Sequence, residues 1–113
     1  MGESFIRAIE NARLEDSGFY YTMSLISGKY KMIILYALSV YHIMRFNEMQ
    51  RFLKMISYKT LSATLKDLEN DQLILRTEYP QVPPKVEYSL TPRGESLIPI
   101  LHELCDWGEN NRI

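Results

Sequence analysis

The sequence predicts a mainly α-helical domain that carries one small β-hairpin, an α+β class. Three observations lead there. Leu61, Leu65 and Leu68 recur at steps of four and three, the spacing of one side of an α-helix. Two short stretches, Leu75–Tyr79 and Lys85–Leu90, alternate apolar and polar residues on either side of a segment holding Pro80, Pro83 and Pro84, which reads as two strands around a stiff loop. Thr91-Pro92 then supplies a helix cap and a proline suited to the first helical position.

The chain has 113 residues, which suits one domain around one core. Its 46% hydrophobic and 24% charged residues are ordinary for a globular protein. No apolar run approaches the roughly 20 residues of a membrane-crossing helix. The start, Met-Gly-Glu-Ser-Phe-Ile-Arg, has no apolar stretch of the secretory kind. Ile6 stands where a myristoylation pattern needs Ser or Thr. A single cysteine rules out an intramolecular disulfide and fits a reducing compartment, so a cytoplasmic protein is expected.

The net charge of −1 hides an uneven distribution. Between Lys29 and Lys66 stand seven bases and one acid, Glu48, while both flanks are acidic. Salt screens distant charge over about 10 Å, so a local basic cluster can face DNA in a chain that is acidic overall.

In chain order, residues 4–15 form an N-terminal amphipathic helix. Ser4 is its expected cap, Phe5, Ile6, Ile9 and Ala12 share one side, and Asp16-Ser17-Gly18 ends it. Tyr20–Ile26 is a short helix closed by Ser27-Gly28. Lys29–Val40 is a more buried helix whose first turn holds Lys29 and Lys31, against the helix dipole; contact with phosphate is one compensation. Met44–Phe46 is long enough only for a strand stub, and Asn47 is the expected cap of a helix over 48–54. Met55-Ile56 makes the turn, and Ser57 caps the helix 57–70.

That helix organises the rest. Turning about 100° per residue from Leu61 puts Lys59, Ala63, Lys66 and Asn70 on the far side, flanked by Thr60 and Ser62. No carboxylate interrupts this face before Asp67, and its short hydroxyls suit close approach to a phosphate-lined groove. Residues 47–70 thus read as a helix-turn-helix and residues 73–90 as the hairpin that follows it, together a winged helix-turn-helix.

The last helix, 91–110, has a wide apolar side and carries Pro99 in its interior, at about 3 kcal/mol or a bend. So wide a stripe exceeds what one small core needs. With the N-terminal stripe it suggests a dimer interface made of Phe5, Ile6, Ile9, Leu97, Leu101, Leu104, Cys105 and Trp107. Packing within the chain is the competing reading. Cys105, on the apolar side, is expected to be buried and inert.

Several blocks carry a resemblance: TMSLISGKYKMIILYAL from Thr22, RFNE from Arg45, ISYKTL from Ile56, LKDLE from Leu65, YPQVPPKVEYSLT from Tyr79, GESL from Gly94 and LCDWG from Leu104. Over about Gly18–Glu109 the chain resembles the HxlR-type branch of the MarR-like winged-helix transcription regulators. The resemblance implies a homodimer, joined through terminal helices, that binds double-stranded operator DNA. It makes Ser57–Asn70 the recognition helix and Pro80–Lys85 the wing. Two positions depart from the pattern. Many such regulators carry a reactive Cys-Pro where this chain has Ser17-Gly18, so the thiol switch of the redox-sensing members has no counterpart there. Tyr30 replaces a common tryptophan.

On this reading Lys59, Thr60 and Ser62 reach base edges or nearby phosphates, and Ser57, Lys66, Lys29 and Arg45 position the backbone. Lys85 reaches an adjacent groove or phosphate. A winged helix used only for protein–protein contact is the alternative, and pairing of Cys105 with its twin under oxidation is a third. An unknown small-molecule effector in a pocket at the dimer interface is left open, and no residue names one. His102 and Cys105 stand i, i+3 beside Asp106, yet the remaining histidine, His42, lacks a partner at motif spacing, so no metal or other cofactor is expected. No phosphate loop, nucleophile elbow or paired-carboxylate motif occurs, so no catalysis is expected.

Overall fold

The computed structural model describes residues 2–10 and 13–113, apart from the side chains of residues 4, 5 and 8. The elements in order are α1 (Glu3–Glu10), a 3-10 turn (Leu14–Asp16), α2 (Gly18–Ile26), α3 (Lys31–Tyr41), β1 (Ile43–Met44), α4 (Phe46–Leu53), α5 (Tyr58–Asn70), β2 (Ile74–Tyr79), β3 (Lys85–Leu90), α6 (Pro92–Glu95) and α7 (Ile98–Asn111). The strands form one antiparallel sheet in the order β1-β3-β2, with register running from Ile74 opposite Leu90 to Tyr79 opposite Lys85. The stub expected near Met44 is β1, which adds to the outer edge of β3 through Met44 opposite Tyr88.

The core forms where the apolar sides of α3, α4 and α5 meet the start of β2. Leu61, Leu65 and Leu68 of α5 are buried there with Ile34, Leu35, Leu38, Met49, Leu73 and Ile74. The leucine spacing therefore fixes which side of α5 faces inward, and by exclusion which side faces out.

The structure redraws several expected boundaries. The helix expected over 4–15 does not run through: α1 is described over Glu3–Glu10, Arg13 is not helical, and a separate 3-10 turn spans Leu14–Asp16. The cap role of Ser4 and the contributions of Phe5 and Ala12 lie outside the described residues. Ser17 is buried and caps α2, with its Oγ accepting the Tyr20 N–H at 3.0 Å and donating to the Leu14 carbonyl at 2.7 Å. Helix α3 opens at Lys31, so Lys29 precedes it, its ammonium 5.4 Å from the Tyr30 ring centroid.

Helix α4 starts one residue before Asn47. Arg45 holds the cap position, and its N–H donates to the Glu48 carboxylate at 2.8 Å, so a side chain inside the helix closes the end that Asn47 was expected to cap. The single C-terminal helix is two, α6 and α7, and Pro99 falls in the first turn of α7. A proline there forfeits no helical hydrogen bond, so the cost of an interior proline does not arise.

Candidate nucleic-acid interface

Helix α5 is held at its N-terminal end. Ser57 Oγ accepts the Thr60 N–H at 3.1 Å, and its hydroxyl proton goes to Thr60 Oγ1 at 3.0 Å. The Tyr58 ring packs on Phe46 of α4, centroids 4.7 Å apart, which ties the two helices of the motif together. With the three leucines turned inward, Lys59, Thr60, Ser62, Ala63 and Lys66 are all exposed. The outward face expected from the sequence is therefore open along the helix.

Two hollows lie on the helix-turn-helix and hairpin, the first lined by α5 and the second not. One, of about 370 Å³, lies between α5 and the hairpin, and Tyr58, Ser62, Lys66, Glu69, Arg76 and Tyr88 line it. Arg76 on β2 donates to Glu78 Oε1 at 3.2 Å. Hydrogen bonding with Tyr88 first, and with Glu78 after it, pushes its guanidinium up from its ordinary range. The second hollow, of about 460 Å³, lies between the start of α4 and the wing, lined by Arg45, Asn47, Glu48, Arg51, Pro84 and Val86.

The expected contact residues are thus partly gathered. Ser62 and Lys66 share one hollow and Arg45 borders the other, while Lys29, Ser57, Lys59, Thr60 and Lys85 line neither. Lys85 is engaged on the hairpin itself. Its ammonium lies 3.3 Å from Glu87 Oε2 and 4.9 Å from the Tyr79 ring centroid. Glu87 also holds the Tyr79 hydroxyl above the ordinary phenol range by hydrogen bonding and charge. Sequence reasoning missed Arg76 and Arg51. The strand alternation put Arg76 opposite Leu75, but no local signal says which side of a strand faces a helix.

The expected dimer surface divides in two. Leu97 and Leu101 are only 9% and 5% exposed and belong to the chain's own core, which corrects their assignment to an interface. The first turns of α7 use them against the core, and the rest of the helix projects. Leu104 is 55% and Trp107 69% exposed; Ile6 and Ile9 are also open. Cys105 is exposed too, contrary to the buried position expected for it. An almost wholly apolar hollow of about 250 Å³ lies beside this surface, lined by Met32, Ile33, Tyr36, Ala37, Phe52, Leu101 and Leu104. The His102 ring packs at a tilt against Tyr36, centroids 5.3 Å apart. Among the described residues, no three His, Cys, Asp or Glu side chains converge as metal ligands. No helix among them is long and apolar enough to cross a membrane.

A helix-turn-helix with an open second helix, followed by a β-hairpin and flanked by helices with uncovered apolar sides, defines a winged-helix regulator of the MarR-like kind. The HxlR-like helix-turn-helix profile matches residues 25–112, and the chain belongs to that family of transcriptional regulators, whose members are not enzymes. An HTH-type transcriptional regulator of Halalkalibacterium halodurans is 56% identical over 99 residues, 88% of each chain. Among solved structures, the redox regulator HypR in its reduced form superposes with a TM-score of 0.81 at 43% identity, covering 85% of this chain and 94% of that one. A transcriptional regulator of the MarR family from Porphyromonas gingivalis superposes with a TM-score of 0.78 at 37% identity, covering 86% of this chain and 94% of that one.

Proposed function

We propose that the protein is a cytoplasmic, sequence-specific regulator that binds double-stranded operator DNA as a homodimer. Helix α5 enters the major groove, and the wing lies on the adjacent groove or backbone. The observation that carries this reading is the outward face of α5: two lysines and short hydroxyls, all exposed, on a helix whose opposite side is locked into the core. Lys59, Thr60 and Ser62 reach base edges or nearby phosphates. Lys66, Arg45 and Lys29 hold the backbone, and Ser57 contributes through the cap that presents the first turn. Lys85 reaches a phosphate by exchanging Glu87 for it. The uncovered apolar residues Ile6, Ile9, Leu104, Cys105 and Trp107 form the interface between copies, while residues 73–90 act as the wing. Half-sites then lie about 34–36 Å apart, or a multiple of that.

The test is a selection of duplexes from a randomised pool by the full-length protein, followed by a gel shift. A recovered, pseudo-palindromic sequence bound in preference to scrambled DNA at the same salt concentration supports the reading. Equal, weak binding to every duplex would remove it.

A further inference from the structure

The chain leaving the recognition helix is clasped by the start of α6. Three successive carbonyls, those of Asp71, Gln72 and Leu73, are taken by donors from Thr91 and Arg93. Thr91 N–H donates to the Leu73 oxygen at 3.1 Å, Thr91 Oγ1 to the Gln72 oxygen at 2.7 Å, and Arg93 Nε to the Asp71 oxygen at 3.1 Å. Asp71 is the C-cap residue of α5, where a cation is also favoured by the helix dipole.

The other end of the same guanidinium leaves the clasp. Arg93 Nη2 donates to the Tyr21 hydroxyl of α2 at 2.6 Å, with the guanidinium carbon 5.9 Å from the Tyr21 ring centroid. Helix α2 packs against α1 and the 3-10 turn, so Tyr21 belongs to the N-terminal arm that carries Ile6 and Ile9. One side chain therefore spans from the end of the recognition helix to that arm. A planar guanidinium holds two acceptors in fixed directions, which the single ammonium of a lysine does not.

We propose that Arg93, braced by Tyr21, is a positioning residue that sets the angle of α5 against the N-terminal arm and thereby the half-site spacing the dimer accepts. This rests on the dimeric DNA-binding reading above. Two recognition helices read one duplex only if each is held at a fixed tilt to the interface, because the half-sites are set apart by whole helical turns of DNA. The strut touches the C-terminal end of α5, away from Lys59 and Thr60, so it governs where the reading face sits rather than what it reads.

The test compares wild type, Tyr21→Phe and Arg93→Lys on duplexes carrying the selected half-site. One set holds a single half-site; the other holds two at the selected spacing and at spacings longer or shorter by one or two base pairs. Both variants are expected to bind the single half-site as wild type does. On the paired sites the preference for the selected spacing is expected to fall about tenfold, the worth of one charge-assisted hydrogen bond. Tyr21→Phe removes only a hydroxyl, and an unchanged melting temperature certifies its fold. An equal loss on all duplexes, single half-site included, would mark a merely structural contact and overturn the proposal. So would an unchanged spacing preference in Tyr21→Phe. If wild type selects no duplex, the DNA-binding reading itself falls and the strut with it. If it selects one whose spacing preference the variants share, the strut alone falls.

Discussion

Gly94 faces the carbonyl oxygen of Leu73 so closely that a Cβ built on it would stand 2.1 Å from that oxygen. The carbonyl is not free to move aside, because it accepts the Thr91 N–H at 3.1 Å. Both sides of the contact are backbone, joining α6 to the chain that leaves α5. Gly94→Ala is expected to cost about 3 kcal/mol or more, seen as a lower urea midpoint at unchanged slope. A midpoint within error of wild type would show that the junction can open without loss.

The Ser57 cap predicts a smaller and more local effect. Ser57→Ala leaves the Thr60 N–H without its acceptor and is expected to destabilise the chain by about 1 kcal/mol. Amide exchange should speed up over the first turn of α5 and remain slow at Leu65 and Leu68, which stay buried. Uniform acceleration through the helix would contradict a purely local role.

If Lys59 and Lys66 each meet a phosphate, Lys59→Ala and Lys66→Ala should each flatten the dependence of log affinity on log salt by about one unit. Thr60→Val tests the other class of contact. It should change the preferred sequence while leaving the slope alone. A slope unchanged by either lysine substitution would take that residue off the DNA backbone.

The division of α7 separates two substitutions that the helical pattern treats alike. Leu104→Glu places a charge on a side chain that is already exposed, so the chain should stay folded while sedimentation shifts from dimer to monomer. Leu101→Glu buries a charge in the core and should unfold the chain at any concentration. Trp107 is the single tryptophan, so its emission should shift to the blue as wild type assembles and should not shift in Leu104→Glu.

Helix α5 was legible because its signal is local. A period of three and four in leucine, a serine before it and hydroxyls opposite place one helix without reference to anything distant. The hairpin was legible for the same reason, since prolines at 80, 83 and 84 exclude a helix there. Pro99 misled because a proline reads alike inside a helix and in its first turn; what decides is the break after Glu95, set by α6 folding back on Leu73. Leu97 and Leu104 lie on one apolar stripe, and only tertiary packing tells which end of the stripe has a neighbour. Arg76 and Arg93 were illegible for a related reason. Arg93 meets Tyr21 across 72 residues, and no spacing rule reaches that far.

Strand β3 is the middle of the sheet, bonded to β1 on one side and β2 on the other. The ladder ends at Tyr79 opposite Lys85, so the turn between them bears no part of it. Insertions at that tip would leave the sheet and the core untouched, and doubling a loop's length costs only about 0.6 kcal/mol in closure entropy. How far the finger projects from the sheet can therefore drift through evolution without endangering the protein's ability to fold.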